Sequence, residues 1–487
     1  MYAILGILGT GYIQKIAMPT KEEWQPFAAG KVKMSTNLLE ERKQNRTDVF
    51  SNRIPKRVPI QVGLSLAVVA DYAKIDRRVA YWDPSLLSDA IDELATLIPS
   101  DNLPYSGTIY SPVTSQTIDS IAKVMSSTGY MQHPNTVCMS PDEYDELIAD
   151  PYAFIVDKCV PRLCKALDPE FNPGRFQLAL MLEDRMKAAV ARKEIPMVQG
   201  FNAKYGYPVF PGGNRVRAGM DWLADMLRSF SGVCIDIRRN RQQVLDALDS
   251  VYPLLYKTGL ANDLNNIDRQ VVTSFQLHMA TYLREKDYLD FFQPTWLRQS
   301  VDYASHGMRT GAFLEHDWER LLDFVYDFPT GSYFTFEFTN PQILKDKLGK
   351  KHILGGGFPL INLTTCNKAQ IIDKTKEWLD IMAPGGQYTF GFDKSALVYS
   401  DVNLENLIAM CETVRDYGVY DNAGQATGED FNKEDYTLSE GAGNFKSKYY
   451  PVWEEYLEKW PYTPENAKEV IYGAEDALLS YFFALTC

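Results

Sequence analysis

Histidine is scarce in this chain, and its cysteines are too scattered to form a recognisable site. The sequence has 5 histidines among 487 residues, and none of its 7 cysteines lies at a CxxC spacing from another. This scatter excludes a zinc-finger framework, and the odd number does not fit the disulfide scaffold of a small secreted domain. We therefore expect a protein of the reducing cytoplasm.

Long apolar runs and excess positive charge are also missing. The apolar opening MYAILGILGTGYI is too short to cross a bilayer, and it lacks the basic start and the cleavage site of a signal peptide. Lysine and arginine together number 50 against 63 acidic residues, which leaves a net charge of −13. We therefore expect no nucleic-acid partner and no anionic membrane partner.

The chain is rich in residues that can form a hydrophobic core. Hydrophobic residues make up 45% of the sequence and aromatic residues 13%, which is ample for one large domain with additions or for two domains. The patterning predicts an N-terminal extension at 1–57, a catalytic domain at 58–420, and a loop and helix extension at 421–487. Helices are predicted at 20–24, 37–50, 84–98, 403–420 and 463–485, and a helix, a break and a second helix at 140–167.

The stretch 313–393 organises the rest of the chain. Short apolar or β-branched runs such as SYFTFEFTN and KHILGGGFP alternate there with segments of helical spacing, such as ERLLDFVYDF and AQIIDKTKEWLDIMA. Strands that alternate with helices at this length are typical of parallel sheets and of (β/α)₈ barrels. The fold class we predict is therefore α/β, a (β/α)₈ TIM barrel with helical extensions at both ends.

Ionisable side chains recur where these predicted strands end. Glu315 and His316 follow one strand, Glu337 follows the next, Asp393 follows a later one, and His278 ends the strand in FQLHMA. Active sites of (β/α)₈ barrels form at the carboxyl ends of the strands. We predict catalytic roles for Glu337, Glu315 and His278, since a charge between aromatic strand residues is costly unless it is paired.

Other candidates have a plainer interpretation. His352 precedes its strand, which indicates the opposite end of the barrel and a structural role. Cys366 is a weaker ligand candidate, because a lone buried cysteine is more often packing. His133 and His306 have no partner that the sequence can assign. The segment 200–223, rich in glycine and aromatic residues, is predicted to be a loop that either roofs the substrate pocket or contacts a partner.

Several of these segments together resemble a known family. FQLHMATYLREKDYLDFFQPTWLRQ, FLEHDW, TFEFTN, KLGKKHILGGGFP, APGGQYTFGFDKS and DVNLENLIAMCETVRDYGVY are similar to the uroporphyrinogen decarboxylase-like superfamily, and most of all to its corrinoid-dependent methyltransferase branch. The resemblance covers roughly the last two-fifths of the chain well and 58–150 weakly. It implies the barrel of that superfamily. The arginine-rich substrate motif of the decarboxylase itself is absent here.

The resemblance also implies a reaction and a metal. Members of this branch move a methyl group from a small O-, N- or S-methyl compound to cob(I)alamin on a partner protein, and several use Zn²⁺. Their His-x-Cys ligand pair and distant cysteine correspond here to Leu314, His316 and Asp393, so the thiolates are missing. Related O-demethylases use two glutamates and a histidine instead, and the resemblance implies such a set here in Glu315 or His316, Glu337 and His352. The zinc site we predict consists of His316, Glu337 and Asp393, with His352 and Cys366 as the less favoured ligands.

The function we expect is methyl transfer from a methoxyaromatic compound, that is, O-demethylation. No cobalamin-binding DxHxxG segment occurs, so the cobalamin would be supplied by a separate corrinoid protein. The first rival is a decarboxylase-type lyase on the same barrel, which a cluster of arginines in the funnel would favour. The second is a non-catalytic barrel that binds a small molecule. A homodimer is left open.

Overall fold

The computed structural model describes residues 36–108 and 111–486. The predicted helix at 20–24 and the apolar opening of the chain lie outside these ranges. Within them, no helix combines the length and the apolar character needed to span a bilayer.

A parallel sheet forms the centre of the molecule. After a short antiparallel hairpin, β1 (Val124–Met125) and β2 (Met131–Gln132), six strands pair side by side in chain order. These are β3 (Arg215–Val216), β4 (Val272–Leu277), β5 (Arg309–Leu314), β6 (Tyr333–Phe336), β7 (Ile353–Gly356) and β8 (Tyr388–Thr389). All five pairings are parallel, so the carboxyl ends of these strands share one edge.

Two further segments continue the sheet beyond β8. Ile60 forms a parallel bridge with Phe390, and Ser65 forms one with Gly107. Residues 60–65 therefore lie between β8 and the segment around residue 107. Within 36–108 and 111–486 no recorded strand pairing joins that segment to β3, so the α/β class and the parallel sheet are confirmed, while closure into a barrel stays a prediction.

Helices connect and surround the strands. The longer ones span Thr36–Phe50, Ser88–Leu97, Phe176–Tyr205, Phe230–Arg239, Arg241–Gly259, Gln293–Ser305, Pro341–Leu348, Lys368–Met382, Leu404–Tyr417 and Ala467–Thr486. The helices predicted at 37–50, 84–98, 403–420 and 463–485 are confirmed apart from a few terminal residues. Asn403 caps its helix by accepting a hydrogen bond from the backbone N–H of Asn406 at 3.1 Å.

Shorter helical turns complete the connections. They are Leu66–Tyr72, Arg77–Ala80, Pro112–Thr117, Tyr144–Ala149, Pro151–Phe154, Val160–Leu163, Gly219–Trp222, Glu285–Asp287, Leu322–Tyr326, Asn362–Thr365 and Trp453–Lys459. The two helices predicted within 140–167 are instead a series of such turns, linked by the π-helical segment Ile155–Cys159. Pro151 and Pro161 each lie in the first turn of a short helix, where a proline needs no backbone donor.

The prediction for 200–223 is wrong in its first part. Residues 200–205 are the end of the long helix Phe176–Tyr205, which stops at Gly206 in a left-handed conformation with φ 66°. Tyr205 donates its hydroxyl to Asp92 Oδ1 at 2.8 Å, and Tyr207 donates to the carbonyl of Ala95 at 3.2 Å. These aromatic residues pack on a neighbouring helix, so they form no pocket roof.

The sheet interior is filled by side chains from neighbouring strands. Tyr333 of β6 donates or accepts a hydrogen bond with Thr389 at 2.9 Å, and its ring crosses over Gly355 of β7. A Cβ on Gly355 would lie 2.1 Å from the Tyr333 hydroxyl oxygen. Glycine is therefore required there by the close approach of the ring.

The C-terminal segment packs against the sheet domain. Arg53 and Ala426 form an antiparallel bridge, and Lys257 pairs with Asp476 at 2.9 Å. In the last helix the ring of Phe483 packs on Trp222 with centroids 5.6 Å apart. This helix thus covers a turn that follows β3.

Candidate active site

The predicted residues come directly after strand ends on one edge of the sheet. His278 follows β4, Glu315 and His316 follow β5, and Glu337 follows β6. Asp393 lies a few residues beyond β8, after the parallel bridge between Phe358 and Phe392. The parallel arrangement of the strands brings these positions to the same edge of the sheet.

His278 is the centre of a hydrogen-bonded cluster. Its Nδ1 lies 2.7 Å from Asp225 Oδ2, and its Nε2 lies 3.1 Å from Glu315 Oε2. Both ring nitrogens therefore face a carboxylate, an arrangement that favours the imidazolium form with a proton on each nitrogen. The side chain of Asp225 is 7% exposed and that of Glu315 is 30% exposed, so solvent and small molecules reach the Glu315 side.

Two aspartates that the sequence analysis missed hold this histidine. Asp221 is fully buried and accepts hydrogen bonds from the backbone N–H groups of His278 at 3.3 Å and Met279 at 2.8 Å. Asp225 lies in the π-helical segment Leu223–Arg228, one of the irregular helices often found at functional sites. The available signal was the DWLAD run, in which two acids four residues apart interrupt an apolar helix.

The charged groups in this cluster change one another's pKa values. Burial by itself lowers the pKa of an imidazole, but the hydrogen bonds to Asp225 and Glu315 outweigh it and raise the pKa of His278 to about 10. Burial and the nearby Asp225 raise the pKa of Asp221. Burial would also raise the pKa of Glu315, yet its hydrogen bond with His278 and the charges of His278 and His316 together outweigh burial and lower it. The cluster therefore keeps a proton on His278 at neutral pH.

His316 is held in a backbone conformation that few residues adopt. Its φ is 67°, the left-handed region that is costly for a residue with a Cβ atom. Its backbone N–H donates to Glu337 Oε2 at 3.0 Å, and its Nε2 lies 2.7 Å from the Tyr282 hydroxyl. Glu337 thus stabilises the strained turn that presents His316.

Glu337 also forms an ion pair with a lysine, whereas Asp393 accepts a hydrogen bond from the backbone of a loop. Lys394 lies 3.3 Å from Glu337 Oε1, so both oxygens of Glu337 are engaged. Asp393 is buried and accepts a hydrogen bond from the backbone N–H of Leu360 at 2.9 Å. Burial raises the pKa of Asp393. This carboxyl therefore holds the loop that follows β7.

The two histidines without predicted partners have different surroundings. His133 follows β2, and its pKa is lowered by burial and then by the charge of Lys123, with contributions from Asp225, Arg217 and His278. The hairpin β1–β2 therefore brings a second imidazole near the cluster. His306 instead lies 2.7 Å from the Tyr256 hydroxyl, away from these strand ends.

These residues do not fit a metal ion in the arrangement observed. Within residues 36–108 and 111–486, no group of three or more histidine, cysteine, aspartate or glutamate side chains is placed to hold a metal ion. His316, Glu337 and Asp393 are each engaged in the hydrogen bonds described above. His352 lies at the amino end of β7, fully buried, with Nε2 3.2 Å from the carbonyl of Tyr326.

The substitute ligands His352 and Cys366 lie in other surroundings. Burial lowers the pKa of His352 to about 3, so it is a neutral structural residue at the far end of the sheet. Cys366 lies beyond β7, just after the turn Asn362–Thr365, where its carbonyl accepts a hydrogen bond from Asn406 at 2.7 Å. Zinc binding stays a prediction, and it would require His316, Glu337 and Asp393 to exchange their hydrogen bonds for metal coordination.

Comparison with solved structures finds likenesses to this chain, and one of them, at low similarity, is to a methyltransferase. No known protein family matches the chain, and no curated protein matches it in sequence. A methyltransferase from Methanosarcina mazei superposes with a TM-score of 0.46 at 13% sequence identity, covering 77% of this chain and 98% of the other. A likeness at this level assigns neither a family nor an activity to this chain.

Proposed function

We propose that this chain is a methyltransferase that removes a methyl group from a small methoxyaromatic compound. The acceptor would be cob(I)alamin on a separate corrinoid protein. The observation that carries the proposal is His278, whose two ring nitrogens lie against the carboxylates of Asp225 and Glu315 where the strands end. The family resemblance of the surrounding segments supports the same reaction.

The proton on His278 Nε2 is the one available for chemistry. The Nδ1 side faces the nearly buried Asp225, whereas the Nε2 side faces the partly exposed Glu315. A substrate oxygen that enters beside Glu315 can accept the Nε2 proton, while Asp225 keeps the ring oriented and stabilises its charge. This division of roles is the one that a carboxylate–histidine pair performs in general acid catalysis.

The pKa of His278 suits an aryl ether better than an alkyl ether. When the bond from methyl carbon to oxygen breaks, its electron pair stays on oxygen, and an aryl ether releases a phenoxide. Phenols have pKa values of about 10, as for tyrosine. An acid with a pKa of about 10 is therefore matched to this leaving group. An aliphatic alkoxide is far more basic and would need a stronger electrophile.

The other side chains prepare the site for this step. Asp221 fixes the turn that carries His278, and Glu337 fixes the turn that carries His316. Cob(I)alamin on the partner would supply the nucleophile that takes the methyl group. After the step His278 is neutral, and it regains its proton from solvent through its exposed side.

Methyl transfer to cob(I)alamin tests the proposal directly. The purified chain is mixed with a cob(I)alamin-loaded corrinoid acceptor and with methoxyaromatics, methylamines or methyl thiols in turn, and methylcobalamin is followed by absorbance. We expect transfer from methoxyaromatics. Absence of transfer from all three donor classes overturns the methyltransferase function, and transfer only from amines or thiols overturns O-demethylation.

A series of leaving groups tests the role of His278. In a His278→Gln variant, the rate should fall most for methoxyaromatics that release the most basic phenols, because these depend most on the proton. A uniform fall across the series would remove His278 from the role of proton donor. Zinc analysis of the same preparations, with and without a chelator, decides the metal question separately.

A decarboxylase-type lyase is the second candidate, and one observation favours it. Arg217 follows β3 and lies 3.4 Å from Asp225 Oδ2, so a cation that could hold a substrate carboxylate is present beside His278. In that reaction His278 would donate its proton to the carbanion left after CO₂ departs. Release of CO₂ from carboxylated aromatics, without any corrinoid acceptor, would favour this function.

A further inference from the structure

Aromatic rings form a continuous row along the edge of the sheet where the cluster lies. Ring centroids are 5.7 Å apart between Phe230 and Tyr282, 5.1 Å between Tyr282 and His316, and 6.3 Å between His316 and Phe338. The row starts in the helix after the π-helical segment that carries Asp225 and ends just beyond β6. We call these four residues the aromatic row.

Two rings of the row are unusually exposed. Tyr282 is 60% exposed and Phe338 is 57% exposed. Adjacent exposed aromatic rings cost free energy in water unless something covers them. Exposed rings on either side of His316 therefore offer an apolar surface that a ligand could cover.

The exposed rings are held in place before any ligand arrives. The hydroxyl of Tyr282 lies 2.7 Å from His316 Nε2, and His316 is itself fixed by its backbone hydrogen bond to Glu337. The ammonium group of Lys394 lies 4.9 Å from the centroid of Phe338 and 3.3 Å from Glu337. Because the rings are already oriented, a ligand that packs on them loses little side-chain entropy.

We propose that the aromatic row is the subsite that binds the planar ring of an aryl ether substrate. This rests on the proposed function and adds the residues that select the substrate. His316 belongs to the row, and its Nε2 lies 3.8 Å from Glu315 Oε1, while Glu315 Oε2 lies 3.1 Å from His278 Nε2. A ring packed on the row beside His316 would therefore lie next to the carboxylate that accepts from His278, where its ether oxygen can reach the Nε2 proton. The surface of another protein is the other occupant to consider, but a stable interface needs about 800 Å² from each partner, far more than these rings offer.

Binding without turnover tests the subsite. The probe is 2-methoxyphenol, and its matched control is 2-methoxycyclohexanol, which keeps the oxygens but has no aromatic ring. Dissociation constants are measured by calorimetry on the full chain without a corrinoid protein. An aromatic contact contributes about 0.5–1.5 kcal/mol, which corresponds to roughly 2- to 13-fold in affinity. We expect the saturated analogue to bind at least roughly 2-fold more weakly than 2-methoxyphenol.

Variants locate the effect. Phe338→Leu and Tyr282→Leu should each weaken 2-methoxyphenol by about 2- to 10-fold and leave 2-methoxycyclohexanol unchanged, since leucine keeps apolar area without a ring. Tyr282→Phe should retain most of the affinity, because it keeps the ring. Tyr462→Leu is the control, since Tyr462 is 97% exposed and lies in the C-terminal segment. Circular dichroism verifies the fold of each variant.

The outcomes separate this inference from the proposed function. Equal affinity for the aromatic and saturated probes, or no effect of either leucine variant, overturns the subsite. Weaker docking of a corrinoid protein with unchanged ring binding also overturns it, because the row would then be a protein contact. Ring binding without methyl transfer overturns the function and keeps the subsite. Methyl transfer by the Phe338→Leu variant with an unchanged KM for the aryl ether overturns the subsite and keeps the function.

Discussion

At the scale of single residues, the chemistry depends on how a few charges are paired. His278 keeps its proton because two carboxylates accept from its ring, although burial alone would remove that proton. The same effect makes part of the stability depend on pH. The pKa of His278 is raised from 6.5 when unfolded to about 10 when folded, so its contribution to stability is complete below about pH 6.5. It is lost as the pH rises toward 10.

The first prediction concerns this titration. In nuclear magnetic resonance spectra the His278 ring should remain protonated from pH 6 to about pH 9, whereas an ordinary histidine with a pKa of about 6.5 loses its proton over the lower part of this range. Asp225→Asn keeps an acceptor oxygen but removes one of the two negative charges beside the ring, and it should lower the midpoint. The unfolding free energy of the wild type should fall between pH 6.5 and 10 more steeply than that of His278→Gln. A His278 midpoint near 6.5 in the wild type would contradict the arrangement.

The second prediction concerns Glu337 and His316. Glu337→Gln removes the charge that meets both the His316 backbone and Lys394, and His316→Ala removes a ring beside the acid. We expect each change to lower the rate of methyl transfer by about 10²-fold or more, as when a preorganised polar group is lost. Circular dichroism should show an intact fold. Near-normal rates in both variants would place the site elsewhere.

At the scale of elements, the position of the cluster depends on how closely neighbouring strands pack. Tyr333 can cross β7 only because Gly355 has no side chain. That crossing aligns β6 with β7 and with β8 through the hydrogen bond to Thr389. The strand ends that carry the site therefore depend on one small residue in the middle of the sheet.

The third prediction tests this contact. Gly355→Ala should lower the free energy of unfolding by about 1–3 kcal/mol, because the new methyl group overlaps the Tyr333 ring. Gly473→Ala is the matched control, since nothing lies near its Cβ position in the last helix. There alanine should be neutral or stabilising by up to about 1 kcal/mol. Urea unfolding measures both. Equal effects of the two changes would show that Gly355 is not tightly packed.

At the scale of the whole molecule, the C-terminal helix is part of the structure that holds the site. Its residues Leu479 and Phe483 are buried, and Phe483 packs on Trp222, which immediately follows Asp221 in the chain. The turn that positions His278 is therefore covered on one side by the C-terminal segment. The geometry of the candidate site and the C-terminal packing are linked through a single turn.

The fourth prediction follows from this cover. Phe483→Ala should destabilise the protein by about 3–5 kcal/mol, the usual cost of removing a buried phenylalanine. Val470→Ala, in the same helix at 72% exposure, should change stability by no more than about 0.5 kcal/mol. Thermal unfolding compares them. If Phe483→Ala is as stable as Val470→Ala, the helix does not support the turn after β3.

Local patterns in the sequence determined the elements and their order. The alternation of strand and helix spacing between 313 and 393 predicted β5 to β8 and the helix Lys368–Met382, because periodicity depends on neighbours along the chain. It also predicted that Glu315, His316 and Glu337 follow strand ends, and the separate apolar run FQLHMA predicted a strand end at His278. Where local signals conflict, as at 200–205, the prediction was wrong, because continued helix formation outweighed the glycine and aromatic content.

Only the tertiary structure decided which of these residues meet. Asp221 and Asp225 reach His278 from another connection of the sheet, more than fifty positions earlier in the chain, and no local pattern encodes that distance. Packing likewise placed the carboxyl of Asp393 against the loop after β7, whereas the position of His352 before its strand could already be predicted from the sequence. Residue types and their order specify strand ends, but the pairing of charges across strands depends on sheet register and helix packing.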